Sequence, residues 1–101
     1  MANTSITHHV VGQGGKYVAH LEGEDAQGTL EWEPGAQSNG KEVRIATHTI
    51  VPKEIGGRGV AADLVERFIA DARAKGFLIR PDCSYVEKKF DENPDWSALR
   101  A

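Results

Sequence analysis

Between residues 41 and 75 the hydrophobic pattern changes period once, and that change fixes most of what the chain can fold into. In KEVRIATHTIV (41–51), Val43, Ile45, Thr47, Thr49 and Val51 alternate with Glu42, Arg44, Ala46, His48 and Ile50. Period two, with β-branched residues filling one set, describes a strand. Pro52 ends it, because proline offers no N–H to a ladder. From residue 59 to residue 75 the period is helical. Val60, Ala61, Leu64, Val65, Phe68, Ile69 and Ala72 form one apolar stripe, and Gly76 stands where a C-terminal glycine stop belongs. FLIR (77–80) follows directly, a short apolar run ending in a base, which reads as a buried parallel strand. A strand–helix–strand unit of this kind is expected to cross over right-handed.

The flanks complete the outline. Residues 1–7 read as a loose start. THHVVG (7–12), KYVAHLEG (16–23) and TLEWEP (29–34) read as antiparallel strands, and PGAQSNG (34–40) as loop. After residue 80, Asp82 is the expected N-cap of a helix over CSYVEKKFDE. Asn93 and Pro94 break that helix and open a last turn, PDWSAL. The expectation is a mixed α/β (α+β) fold: N-terminal antiparallel strands, a strand–helix–strand crossover and a C-terminal helix. At 101 residues the chain is expected to form a single domain over 1–101.

Charge and cysteine usage exclude several classes. The net charge of −3 argues against nucleic-acid binding, which calls for a basic excess. With one cysteine, Cys83, no internal disulfide scaffold forms. MANTSITHHVV carries neither a basic region nor a long apolar run, so no signal peptide is expected. No segment has the apolar length of a membrane span. The expected setting is a reducing cytoplasm. His8, His9 and His20 lack ligand spacing, so no metal site is expected. The acidic turn at Glu22, Glu24 and Asp25 reads as solvated loop or as an attractor for an amine. Trp32 and Trp96 read as packing residues.

The chemistry-bearing stretch is VPKEIGGRGVA (51–61). Gly56, Gly57 and Gly59 stand where a strand gives way to a helix. Helix N-termini attract anions through unpaired N–H groups, and glycines let the backbone approach a bulky one. The stretch is either a phosphate or pyrophosphate cradle, with Lys53 and Arg58 as charge partners, or a turn that needs flexible residues. Neither a P-loop pattern nor GxGxxG is present. Cys83 and His48 both lie near the ends of the strands that flank the crossover helix, where ligands gather in parallel sheets. Cys83 is either a helix-start thiol of lowered pKa or a small buried hydrophobe. His48 is either a proton acceptor or a surface residue. By parity it shares a face with Glu42 and Arg44, unless the strand kinks.

Taken together, ATHTIVP (46–52), GRGVAADLVE (57–66), IRPDCSYV (79–86) and NP (93–94) resemble the GNAT superfamily of acetyl-CoA-dependent N-acetyltransferases, in its short, single-domain branch. That family's loop reads [QR]-x-x-G-x-[GA]; here Gly59 and Ala61 fit, and Gly56 replaces the leading basic or amide residue. The resemblance implies acetyl-CoA as cosubstrate. It implies that Gly56, Gly57, Arg58, Gly59, Val60 and Ala61 hold the pyrophosphate, and that Ile50 and Val51 offer backbone to the pantetheine arm. It places His48 and Cys83 beside the acetyl group. His48 is then the base for direct attack by a primary amine on a small molecule or protein. Cys83 or Tyr85 protonates the departing thiolate, or Cys83 takes the acetyl group first. Two rivals stand beside this reading. One is a non-catalytic CoA- or acyl-CoA-binding module; the other is a thiol-based sensor or interaction domain using Cys83.

Overall fold

The computed structural model describes residues 4–101. Five strands form one sheet in sequential order: β1 (Thr4–Val11), β2 (Gly14–Leu21), β3 (Gln27–Ser38), β4 (Lys41–Ile50) and β5 (Leu78–Pro81). The first four pair antiparallel, and β5 runs parallel to β4. Helix α1 (Val60–Lys75) connects β4 to β5, and α2 (Ser84–Glu92) follows. Short 3₁₀ turns occupy Lys53–Ile55 and Pro94–Leu99. This is the mixed α/β order that the change of period implies. α1 is bounded by Gly59 and Gly76, both left-handed, at φ 78° and 77°.

Three local expectations are corrected. Residues 34–40, read as loop, are mostly strand. Pro34 and Gly35 sit opposite Arg44 and Val43, the register slips between Gly35 and Ser38, and the turn itself is Asn39 and Gly40. Their φ values of 54° and 76° are the paired positive angles of a tight hairpin turn, which outweighs the loop-like composition before it. Of residues 1–7, read as a loose start, 1–3 lie outside the described residues and 4–7 belong to β1, which pairs with β2 along its whole length. The N-cap of α2 is Cys83 rather than Asp82. The Asp82 carboxylate is taken by a two-pronged bond from Arg80, both contacts at 2.8 Å.

The core lies against one face of the sheet. Tyr17, Leu30, Trp32, Ala46 and Ile79 line up on that face by register and meet Leu64 and Phe68 of α1 and Val86 and Phe90 of α2. Tyr17 packs edge-on against Phe68, with ring centroids 5.4 Å apart. Removing the Phe68 ring would cost about 3–5 kcal/mol, a large share of a small domain's stability. The polar end of Tyr17 is satisfied: its hydroxyl donates to Asp71 at 2.6 Å, and Asp71 also takes Arg67. Arg44 lies between the Trp32 and Phe77 rings at 4.2 and 4.1 Å.

One irregularity positions the site. Glu31 opposes His48, yet the next residue, Trp32, opposes Ala46. Thr47 is therefore an extra residue in β4, a bulge that reverses the alternation beyond it. Of the two sequence readings, unbroken parity or a kinked strand, the structure has the kink, and His48 is exposed all the same. Arg44, Ala46 and Thr49 face the helices, whereas His48 stands with Glu31 and Lys16 on the outer face.

Candidate active site

The parallel pairing of β4 and β5 is short. It runs from Val43↔Leu78 to Ala46↔Pro81, and one more bond, Cys83 N–H to Ala46 O at 2.9 Å, ends it. Beyond that point the chain after β5 turns into α2 while β4 continues to Ile50. The edge of β4 at residues 47–50 thus loses its neighbour and opens a notch between the two parallel strands. Pro81 helps to part them, since it has no N–H to extend the ladder.

The glycine loop lies at the far end of that notch. Val51 and Val60 come together over Gly28: a Cβ placed there would fall 2.8 Å from Val60 Cγ1 and 3.6 Å from Val51 Cγ2. Gly28 therefore lets the mouth of α1 settle beside the end of β4. Gly57 and Gly59 both hold positive φ, at 76° and 78°, and a Cβ at either would meet nothing within 4 Å. The surrounding space is open, so it is the backbone angle that selects glycine there. Gly56 is different, with φ −66° and ψ 151°, which any residue adopts. The first main-chain bond of the helix is Asp63 N–H to Gly59 O, and no side chain caps the end. Hence the amides of Val60, Ala61 and Ala62 lack intrahelical partners and face the open side. The loop fits a pyrophosphate through these amides and the dipole. Arg58 is half-exposed, 3.9 Å from Glu24, and Lys53 is exposed in the preceding turn.

Cys83 lies beside the notch. Its sulfur is 3.5 Å from Thr49 Oγ1, and its main chain holds the N-cap position of α2. Burial pushes the thiol pKa up, but the Thr49 hydroxyl and the amides of Val86, Tyr85 and Thr49 outweigh it, and the net shift is downward. No capping hydrogen bond closes to the neutral thiol, so the α2 amides act on the sulfur as oriented dipoles. Tyr85 sits in the first turn of α2, half-buried, with Lys89 Nζ 5.5 Å over its ring.

His48 is on the other side of the strand. Its Nδ1 lies 3.5 Å from Glu31 Oε1, and its side chain is 67% exposed. Successive strand residues point to opposite faces, so Thr49 meets Cys83 while His48 meets Glu31. The structure brings Cys83, Thr49 and the free edge of β4 together, with Ile50 exposed at the strand end and Val51 tucked under α1. It does not bring His48 and Cys83 into contact; they flank β4 from its two faces. Sequence reasoning passed over Thr49, Glu31 and Gly28. Gly28 reads as the last residue of the turn before TLEWEP (29–34), whereas β3 already begins at Gln27. Among the described residues no group of three or more His, Cys, Asp or Glu could hold a metal ion.

The site is thus a sheet parted between two parallel strands, with a glycine-bounded helix mouth at the end of the gap. Residues 16–99 match the family model described as GCN5-related N-acetyl-transferase, and the chain belongs to that family. Acyl transfer is the family's general chemistry, and acetyl-CoA its usual donor. No curated protein matches the chain. No helix among the described residues is long and apolar enough to cross a membrane.

Proposed function

We propose that the protein transfers an acetyl group from acetyl-CoA to a primary amine by direct attack. The observation that carries this reading is the parting of β4 from β5 after Ala46, which leaves main-chain edge exposed between the glycine loop and Cys83. The amides of residues 57–61 bind the pyrophosphate, and the edge at Ile50 and Val51 aligns the pantetheine arm. The thioester then lies across β4, with His48 on one face and Cys83 on the other.

The proton bookkeeping follows from that placement. The amine arrives as an ammonium and gives one proton to His48. Its lone pair attacks the thioester carbonyl, the C–N bond forms, and the C–S bond breaks with its electron pair leaving on sulfur. The remaining excess proton on nitrogen reaches the CoA thiolate through Cys83 or Tyr85. The products are an amide, free CoA thiol and one proton, which His48 passes to solvent.

The depressed Cys83 thiol favours a second reading, in which Cys83 is acetylated first and the amine resolves the thioester. Mass spectrometry of protein incubated with acetyl-CoA and no acceptor distinguishes the two: a stoichiometric acetyl adduct on Cys83 selects the second. Titration calorimetry of acetyl-CoA, CoA and 3′,5′-ADP against wild type and Gly59→Glu tests the common ground. Binding to wild type and none to the folded variant is expected. Absence of binding to folded wild type removes the reading. Binding with turnover that survives both His48→Ala and Cys83→Ala would assign the chemistry to other residues.

A further inference from the structure

On the outer face of the sheet, on the other side of β4 from the notch, lies a cleft of about 590 Å³. Its walls are the β1–β2 turn on one side and the bulged part of β4 on the other, and Glu31, Glu33, Lys16 and His48 reach into it. The volume is within the range of small-ligand sites. Two backbone features create it. Gly14 approaches β3 so closely that a Cβ would fall 2.5 Å from Trp32 O, so the hairpin end closes against β3 without a side chain filling the floor. The bulge at Thr47 turns His48 outward into the same space.

The charges are arranged unequally. Lys16 stands directly opposite Glu31 in the β2–β3 register, and His48 stands opposite Glu31 in the β3–β4 register. Only His48 reaches Glu31 as an ion-pair partner, at 3.5 Å; Lys16 faces the same cleft without closing a contact to it. Glu33, one step along the same face, stands opposite Ile45 and has no ion-pair or hydrogen-bond partner among the described residues. The cleft therefore holds two carboxylates against one lysine, and Glu33 is the carboxylate with no ion-pair partner among the described residues, further along β3 than the Glu31 that faces the histidine at the bulge.

We propose that this cleft is the acceptor site, that it takes an ammonium group on an unbranched alkyl chain, and that Glu33 selects the charge while Glu31 orients His48. The proposal rests on the acetyl-transfer reading for its chemistry. Its binding claim stands separately. Glu31 Oε1 lies 3.5 Å from the Nδ1 side of His48, and the proposal has it attract that side so that Nε2 receives the ammonium proton. The alkyl chain lies along the floor made by Gly14 and Gly15, and entry from this side meets the thioester across β4, opposite Cys83.

The test is an NMR titration of the labelled full chain with Nα-acetyl-lysine methylamide, the matching norleucine compound and n-pentylamine. Saturable shifts at the amides of Gly14, Gly15, Lys16 and Thr47 are expected with both amines and absent with norleucine. A stronger response to capped lysine than to pentylamine would mark a polypeptide side chain as the source; the reverse would mark a free amine. Glu33→Lys, an exposed substitution, should weaken amine binding roughly tenfold and leave acetyl-CoA affinity unchanged. For Glu31, the readout is the ¹⁵N signature of His48, which should lose its single-tautomer character in Glu31→Ala. Equal shifts from lysine and norleucine, or amine binding indifferent to Glu33→Lys, would overturn the proposal. Amine binding in the cleft by a protein that never binds acetyl-CoA would leave the site standing and remove the acetyl-transfer reading; acetylation of amines with no response in the cleft would do the opposite.

Discussion

Thr49 Oγ1 and the Cys83 sulfur lie 3.5 Å apart, joining the end of β4 to the start of α2 across the gap between the parallel strands. The contact sets the state of the thiol. Burial works against ionisation, while the hydroxyl and the three nearby amides work for it and prevail. Thr49→Val removes the hydroxyl at nearly constant shape. The midpoint of the pH–rate curve for alkylation of Cys83 by iodoacetamide should lie lower in the wild type than in the unfolded chain, and move upward in the variant. The linkage has a definite sign. A depressed thiol stabilises the fold fully above the unfolded pKa, and that contribution is lost as pH falls through the folded one. The stability difference between wild type and Cys83→Ala should therefore grow in the wild type's favour toward alkaline pH. A flat difference in denaturant titrations would contradict this.

Gly56 and Gly57 are neighbours with different constraints. Gly56 has an ordinary extended backbone, and a Cβ there would fall 3.3 Å from Lys53 O and 3.9 Å from Pro52 O, a tight but narrow contact. Gly56→Arg should fold normally and bind CoA severalfold more tightly at low salt, with the gain fading as salt rises. Gly57→Arg forces a side chain onto a φ of 76°, at a cost of about 1–2 kcal/mol. Thermal melts and calorimetry at two salt concentrations separate the two effects.

The bond from Tyr17 to Asp71 pins β2 to α1. Tyr17→Phe should cost about 2 kcal/mol, a fall in melting temperature of roughly 10 °C for a domain of this size. Burial raises the Asp71 pKa, but the Tyr17 hydroxyl and Arg67 together hold the carboxyl below its usual range. Its contribution is complete above about pH 4 and is lost as pH falls through the folded value. Asp71→Asn should thus differ from wild type at neutral pH and approach it in acid. Tyr17 itself is held well above the ordinary phenol range, by burial first and then by Asp71. The stability it lends is full below about pH 10 and disappears as pH rises through its folded pKa.

Gly28 lies under the helix mouth. Gly28→Ala would push a methyl to 2.8 Å from Val60 Cγ1, an overpacking cost of about 1–3 kcal/mol, and would lift α1 away from the end of β4. Weaker acetyl-CoA binding should accompany the lost stability. Adding Val60→Ala makes room and should recover part of both, a coupling that a double-mutant cycle measures. Strict additivity would mean that the two residues do not meet as described.

The larger elements were legible because their signals are periodic. Val43 and Ile45 against Arg44 mark a strand, and the stripe from Val60 to Ala72 marks a helix with glycine at both ends. The resemblance over residues 46–94 also pointed to the family that residues 16–99 match. What stayed hidden depends on contacts between distant segments. The bulge at Thr47 exists only in the pairing with β3, so no local reading could show that His48 and Arg44 part company. Residues 34–40 misled because Pro34 and Gly35 are turn formers that here sit opposite Arg44 and Val43, while the decisive pair, Asn39 and Gly40, came last. Asp82 looked like a cap until Arg80 supplied a better partner.

The extra residue at Thr47 also separates two specifications that a regular strand would entangle. In an unbroken β4, re-aiming one side chain by an insertion would re-aim every other along the strand. Here the phase slip is already built in, and each face of the strand answers to its own neighbours. Substitutions around Glu33 and Lys16 can retune what approaches from outside without touching Thr49, Cys83 or the glycine loop. A small sheet with one core thus carries two independently adjustable surfaces on a single strand.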